Sequence, residues 1–60
     1  MVNINKGGFA ELQKIKHIGK VRALLIINSR PFRDAYELSK IFGLGKIRTD
    51  EIIKQGLVKF

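Results

Sequence analysis

The chain repeats itself at an interval of 26 residues, and this repeat constrains the fold more than any other feature of the sequence. Residues 12–27 align with residues 38–53 without a gap. The identical pairs are Leu12/Leu38, Lys14/Lys40, Ile15/Ile41, Gly19/Gly45, Lys20/Lys46, Arg22/Arg48, Ile26/Ile52 and Ile27/Ile53. Helical patterning alone could produce the apolar matches, but it does not explain the shared Gly-Lys-x-Arg, so we interpret the repeat as a duplication.

The first copy is predicted to be two helices joined by a tight hairpin. Phe9, Leu12 and Ile15 fall three apart on one face of a short first helix, for which Gly8 serves as the N-cap. The segment 16–19 breaks this spacing and forms the first hairpin.

The second helix is predicted over residues 20–29, with a wide apolar stripe formed by Val21 and residues 24–27. On composition alone, residues 23–27 could also form a buried strand. The equivalent run of the second copy contains residues 49–51, Thr-Asp-Glu, which do not suit a buried strand and therefore favour a helix.

The second copy follows a linker over residues 29–33, in which Pro31 disfavours a helical conformation for the residue before it. Asp34, with Glu37 three residues later, predicts the start of a third helix that runs to about Ile41.

The rest of the second copy is a second hairpin over residues 43–45 and a fourth helix over residues 46–54, which stops at Gly56. Residues 57–60 are predicted to be an apolar tail that closes the core, and residues 2–7 an extended lead-in. The sequence therefore predicts an all-α domain of four to five helices, with motif one at about 9–28, a linker at 29–33 and motif two at about 34–55. Two such hairpins are expected to pack about a pseudo-twofold axis with both turns on one side.

The charge of the chain predicts an acidic partner. Twelve Lys and Arg against five Asp and Glu give a net charge of +7 on 60 residues, which fits nucleic acid or an anionic membrane surface. There is no cysteine, and His17 is the only histidine, so neither disulfides nor a structural zinc site are expected to stabilise this single domain.

The two hairpin turns are the predicted binding sites. Glycine allows a ligand to approach the backbone closely, and the helix that follows presents unpaired N–H groups at the positive end of its dipole. Lys20 and Arg22, like Lys46 and Arg48, lie in the first turn of such a helix. Cations are unfavourable there for the helix itself, which indicates phosphate binding.

No catalytic constellation is apparent in the chain. His17 has no obvious carboxylate partner, and Tyr36, Phe9, Phe32 and Phe42 are interpreted as packing residues, although Phe42 lies against a turn. A hydrolytic site needs a paired base and nucleophile or two carboxylates, so we expect a protein that is not an enzyme.

The hairpins resemble the helix-hairpin-helix family, whose turn reads apolar-x-Gly-apolar-Gly, as residues 41–45 do. The whole chain is similar to the tandem helix-hairpin-helix (SAM-like) domain of ComEA-type competence receptors over residues 2–58. The matching positions are the opening Val2-Asn3-Ile4-Asn5, Glu11-Leu12, Ala23, Ile26, Ile27, Arg30, Pro31-Phe32 and Glu37-Leu38. His17 stands where the first turn of the family usually has glycine.

The resemblance implies binding of double-stranded DNA without sequence preference, as in DNA uptake during natural transformation. Carried over by position, the contacts are His17, Ile18, Gly19, Lys20, Arg22, Gly43, Leu44, Gly45, Lys46 and Arg48. No cofactor is expected, although the family admits a monovalent cation between a hairpin and a phosphate. The chain as it stands is expected in the cytoplasm, or at the cell surface or in the periplasm if it is excised from an anchored receptor.

Two other functions stay open at this point. The same fold could be a protein interaction module whose hairpins are only a scaffold. An anionic membrane surface suits the charge, but the apolar stripes already have partners within the repeat.

Overall fold

The computed structural model describes all 60 residues, nearly half of them in four helices. The helices are α1 (Phe9–Leu12), α2 (Lys20–Ser29), α3 (Ala35–Ser39) and α4 (Gly45–Lys54), and two short strands are β1 (Val2–Asn3) and β2 (Val58–Lys59). Helix α1 packs against α2, and α3 packs against α4, so each copy of the repeat contributes one pair of helices. The molecule measures about 22 × 22 × 20 Å.

The two strands correct the predicted all-α class to a mostly helical fold with a small parallel sheet. Val2 lies opposite Val58 and donates its backbone N–H to the carbonyl of Leu57 at 2.9 Å, and Ile4 donates to Lys59 at 2.9 Å. The predicted lead-in and tail are thus paired with each other. Strands of two residues are too short to show the alternating pattern by which a strand is recognised in a sequence.

The predicted helices occur, with shifted ends. Helix α1 ends at Leu12 and α3 at Ser39, before the predicted ends at Ile15 and about Ile41. Tighter turns follow both helices, because Ile15 donates to the carbonyl three residues before it and Ile41 does the same. The fourth helix begins at Gly45, one residue earlier than predicted.

Backbone hydrogen bonds recur at the 26-residue interval. Four bonds of the first copy have counterparts in the second, with N···O distances between 2.9 and 3.3 Å. The pairs are Leu12→Gly8 and Leu38→Asp34, Lys14→Glu11 and Lys40→Glu37, Ile15→Leu12 and Ile41→Leu38, and Ile18→Ile15 and Leu44→Ile41. The two copies therefore share a backbone pattern from the cap of the first helix to the hairpin turn.

The buried core recurs at the same interval. The aligned buried pairs are Leu12/Leu38, Ile15/Ile41, Ile18/Leu44, Ala23/Thr49 and Ile26/Ile52. Thr49 is the one polar side chain among them, and its hydroxyl donates to the carbonyl of Gly45 at 2.7 Å. Ile4, Phe32 and Val58 complete the core from segments outside the aligned stretch.

The predicted apolar stripe of α2 is only partly buried. Ala23 and Ile26 face the core, whereas Val21 and Leu24 are 69% and 51% exposed. Successive residues of a helix are rotated by about 100°, so Val21 lies on nearly the opposite side from Ala23. Its apolar character therefore has no explanation in the core.

The linker anchors the N-terminal segment. Phe32 donates its backbone N–H to Asn5 Oδ1 at 2.6 Å, and Asn5 Nδ2 donates to the carbonyl of Phe32 at 2.9 Å. The guanidinium of Arg30 donates to the carbonyls of Ile4, at 2.8 Å, and of Gly7. These contacts hold β1 in position to pair with β2.

Candidate nucleic-acid interface

Both hairpin turns lie at the surface. Gly19, Gly43 and Gly45 are exposed, whereas the side chains of Ile18 and Leu44 are buried in the core. The two apolar residues anchor the turns, so only their backbone groups are available to a ligand. The turns thus present backbone outward and hydrophobic side chains inward.

The two turns lie next to each other, because one arginine contacts both. Arg22 Nη1 donates to the carbonyl of His17 in the first turn at 2.8 Å, and its Nε lies 3.4 Å from the carbonyl oxygen of Phe42 beside the second turn. Arg48 makes the equivalent contact within its own copy, from Nη1 to the carbonyl of Gly43 at 3.4 Å. These predicted phosphate-binding arginines therefore also brace the turns.

The aligned lysines two residues before these arginines do not brace the turns. Lys20 and Lys46 are exposed, and the ion pairs of the chain involve other cations. Each lies in the first turn of a helix, α2 or α4, whose N-terminus has no side-chain cap and no acidic residue. Their charges are therefore free to meet an anion.

The first helix of each copy has side chains of the opposite charge at its N-terminus. Helices α1 and α3 carry Glu11 and Glu37 in their first turns, and Asp34 Oδ1 accepts the backbone N–H of Glu37 at 3.1 Å. An acidic residue stabilises this end of a helix, whereas a cation does not. Only the two helices that follow the hairpins, α2 and α4, combine an uncapped N-terminus with cations.

The conformations of the two turns agree at one position and differ at another. His17 has a φ of 71° and the aligned Gly43 a φ of 79°, so histidine adopts the left-handed conformation that glycine adopts in the second turn. Gly45 has a φ of 71°, whereas the aligned Gly19 is extended, with a φ of −100°. The replacement of glycine by His17 therefore preserves the first bend, and the copies diverge two residues later.

His17 has a carboxylate partner, contrary to the sequence-based interpretation. Its Nε2 lies 2.8 Å from Glu51 Oε1 of α4, and Lys16 Nζ lies 3.7 Å from the other oxygen of the same carboxylate. The hydrogen bond from His17, followed by the charge of Lys16, lowers the pKa of Glu51 below its ordinary value of 4.5. The partners are 34 residues apart, so their proximity depends on the packing of the two copies.

Phe42 is a surface residue, and its interpretation as a packing residue was wrong. Its side chain is 84% exposed and borders an open groove of about 450 Å³ that lies beside the first turn. The groove is lined by Gly19, Lys20, Val21, Arg22 and Phe42. The repeat contained a signal for this exposure, since it aligns Phe42 with Lys16, a position that suits a charged residue.

The chain contains no group of three or more His, Cys, Asp or Glu side chains that could hold a metal ion. The monovalent cation at a hairpin stays a prediction, as does the expectation that no other cofactor is needed. None of the helices has both the length and the apolar character required to span a membrane.

Part of a known protein is similar to this chain in sequence. No family model matches the chain, and no solved structure matches it significantly. The chain is similar to a deoxyribonuclease from Thioalkalivibrio sp. (strain K90mix), with 34% identity over 55 residues. The similarity covers 92% of this chain and spans 15% of the length of that relative.

This relative contradicts the expectation that the protein is not an enzyme, because the relative is named as a nuclease. The expectation was based on the lack of paired catalytic groups within these 60 residues. The catalytic groups of an enzyme can lie outside a segment that covers 15% of its length, so the composition of one segment does not exclude catalysis by the whole protein.

Proposed function

We propose that this chain is a tandem helix-hairpin-helix domain that binds double-stranded DNA without sequence preference, through the phosphates of its backbone. The observation that carries the proposal is the pair of adjacent, exposed turns, each followed by an uncapped helix N-terminus with a free lysine. Such an end attracts anions, and phosphate groups are among those it binds.

We further propose that the two motifs are related by a pseudo-twofold axis. The recurrence of hydrogen bonds and buried positions at 26 residues supports this relation. The arrangement suits a duplex, because a protein twofold matches the local symmetry of the two antiparallel strands. Each turn would then contact one of the two backbones.

The deoxyribonuclease supports DNA as the polymer that is bound. We propose that the chain holds DNA as one part of a protein that acts on it, such as a nuclease. DNA uptake, as in competence receptors, is a narrower form of the proposal that rests on the sequence resemblance. Three matched positions of that resemblance, Asn5, Arg30 and Phe32, anchor the lead-in, so they bear on the fold more than on the biological setting.

The first experiment is a titration of the chain with duplex DNA at several salt concentrations. Each neutralised phosphate contributes about −0.9 to the slope of log K against log salt, so roughly three to six contacts predict a slope of about −3 to −5. Duplexes of equal length and different sequence should bind alike. A flat salt dependence would contradict the proposal, and a partner retained from extract after nuclease treatment would favour a protein interaction module.

Substitution of the two lysines tests the proposed phosphate contacts most directly. Lys20→Ala and Lys46→Ala should each reduce the magnitude of the salt slope by about 1 and weaken binding to all sequences equally. Lys54→Ala is the matched control, because Lys54 is exposed on the same helix as Lys46 at the opposite end, roughly 12 Å away. An equal loss of affinity in the control would show that only net charge matters. The arginines are less suitable, since their loss also removes contacts to the turns.

A further inference from the structure

Phe42 is an exposed aromatic residue that lies beside the first hairpin turn. Phe42 and Val21 form a small apolar surface at the edge of the first turn, and both are largely exposed. Neither contributes to the core, so folding does not account for their apolar character. The neighbouring Lys20 and Arg22 border this apolar surface with positive charge, which suits an anionic partner.

The groove beside Phe42 has the features of a site for a flat, aromatic group attached to a phosphate. The groove has a volume of about 450 Å³ and is open to solvent, so a planar group can lie along the Phe42 ring without being enclosed. Gly19 leaves one side open, since no atom lies within 4 Å of the position that a Cβ would occupy. Lys20 and the N-terminus of α2 lie at the rim, where a phosphate would be attracted.

We propose that this groove accepts an unpaired nucleobase of DNA, stacked on the ring of Phe42, while Lys20 and the α2 N-terminus contact its phosphate. The domain would then prefer a duplex that contains an unpaired base over an intact duplex. This inference rests on the proposed DNA binding and names the form of DNA that is bound best.

Energetics favour an unpaired base over a paired one. A base within a duplex must be unstacked and unpaired before it reaches a side chain, which opposes binding, whereas an unpaired base needs little of this. Stacking on an aromatic side chain is tolerant of sequence, because every base has a π face. The site therefore adds selectivity for DNA structure without selectivity for sequence.

The test compares three duplexes of one sequence in fluorescence anisotropy at fixed salt: intact, with a single unpaired base, and with an abasic residue at that unpaired position. We expect the duplex with the unpaired base to bind at least about fivefold more tightly than the other two, as the lower range of stacking contributions implies. The abasic duplex keeps the extra phosphate and the flexible backbone, so it isolates the base.

Variants of Phe42 identify the contact. Phe42→Ala and Phe42→Leu should abolish the preference for the unpaired base and leave the affinity for the intact duplex little changed, whereas Phe42→Trp should preserve the preference. Ile47→Ala is the matched control, since Ile47 is also apolar and 80% exposed but has no aromatic face. It should retain the preference in full.

The possible failures are distinguishable. If the chain binds none of the three duplexes, the proposed function is wrong. If it binds all three equally with a steep salt dependence, DNA binding stands and the base site is wrong. A preference that persists in Phe42→Leu, or an equal loss for intact and bulged DNA in Phe42→Ala, would indicate an apolar wedge and overturn the stacking proposal.

Discussion

At the scale of single residues, identical amino acids in the two copies have different physical roles. Gly19 and Gly45 are aligned by the repeat, yet Gly45 adopts a left-handed conformation and Gly19 an extended one. Glycine is needed for its backbone freedom at the second position, whereas at the first any residue could adopt the observed φ. The same residue at aligned positions of the two copies therefore need not have the same structural role.

This difference predicts unequal effects of alanine at the two positions. Gly45→Ala should lower the free energy of unfolding by about 1–2 kcal/mol, because an L-residue is strained in the left-handed region. Gly19→Ala should cost less than about 1 kcal/mol, through the weaker N-cap alone. Neither Cβ would meet another atom within 4 Å, so steric clashes do not complicate the comparison. Urea denaturation followed by helical circular dichroism provides the measurement, and equal losses would contradict the assignment.

The carboxylate of Glu51 predicts a specific dependence of stability on pH. Its pKa is lowered in the folded chain by the hydrogen bond from His17 and the charge of Lys16, so the ionised form stabilises the fold above the ordinary value of 4.5. This contribution should disappear as the pH falls through the lower, folded-state pKa. Denaturation measured from about pH 7 to about pH 2 should therefore show a smaller acid loss in Glu51→Gln than in the unaltered chain.

Part of the acid loss should persist in the Glu51→Gln variant. The backbone hydrogen bond from Arg33 lowers the pKa of Glu37 as well, so this second carboxylate loses its contribution in the same direction. A variant that carries both Glu51→Gln and Glu37→Gln should have the flattest profile. If Glu51→Gln left the profile unchanged, the contact with His17 would contribute nothing to stability in solution.

At the scale of elements, the helices divide into two kinds by the charge at their N-termini. Helices α1 and α3 have acidic first turns that stabilise them, and α2 and α4 have basic first turns that do not. The chain thus places acidic first turns on the helices that precede the hairpins, and a side-chain cap on α3. The helix ends that follow the hairpins lack this stabilisation, and the proposed phosphate contacts lie there.

The cap of α3 gives the prediction at this scale. Asp34→Ala should lower the free energy of unfolding by about 1 kcal/mol, because it removes the acceptor of the Glu37 backbone N–H. Asp50→Ala is the control, since Asp50 is an exposed aspartate on α4 and its loss changes the net charge equally. Both variants should bind DNA at least as tightly as the unaltered chain, because each removes a negative charge. A similar loss of stability in both variants would contradict the cap.

The pattern of apolar residues predicted the four helices and the positions of the hairpins, because helical spacing and turn glycines are local properties. The Asp34 cap followed from the spacing of Asp34 and Glu37, whereas the two strands were too short to leave a pattern. The contacts of Arg22 and Glu51 were not predictable, since their partners are 20 and 34 residues away and depend on how the copies pack. The exposure of Phe42 was not predicted, although the sequence contained a signal for it, because the aligned residue Lys16 indicated a surface position.

At the scale of the whole molecule, the sheet joins the two ends of a chain that is otherwise a duplicated helical unit. A domain of 60 residues has a total stability of only about 3–9 kcal/mol, so even a small sheet is a substantial part of it. The two strands lie outside the aligned stretch, and the core includes Val58 of β2 and Ile4, which directly follows β1. The duplicated unit therefore depends on segments that the repeat does not contain.

Removal of residues 57–60 tests this dependence. The truncated chain loses at least two backbone hydrogen bonds at roughly 1 kcal/mol each and the burial of Val58 at about 1.5 kcal/mol or more. We expect the thermal midpoint to fall by roughly 15–30 °C. Removal of Phe60 alone is the control, because it leaves the paired residues of the sheet in place. A truncated chain with an unchanged midpoint would assign the sheet no stabilising role.

The parallel pairing of β1 with β2 also determines how the molecule responds to mechanical load. Because the strands run in the same direction, a force that pulls the first and last residues apart slides one strand along the other. The inter-strand hydrogen bonds are then strained together in shear, whereas an antiparallel pair could open one bond at a time. The sheet thus connects the two ends of the chain. A force applied to those ends therefore loads the sheet before it loads the helices.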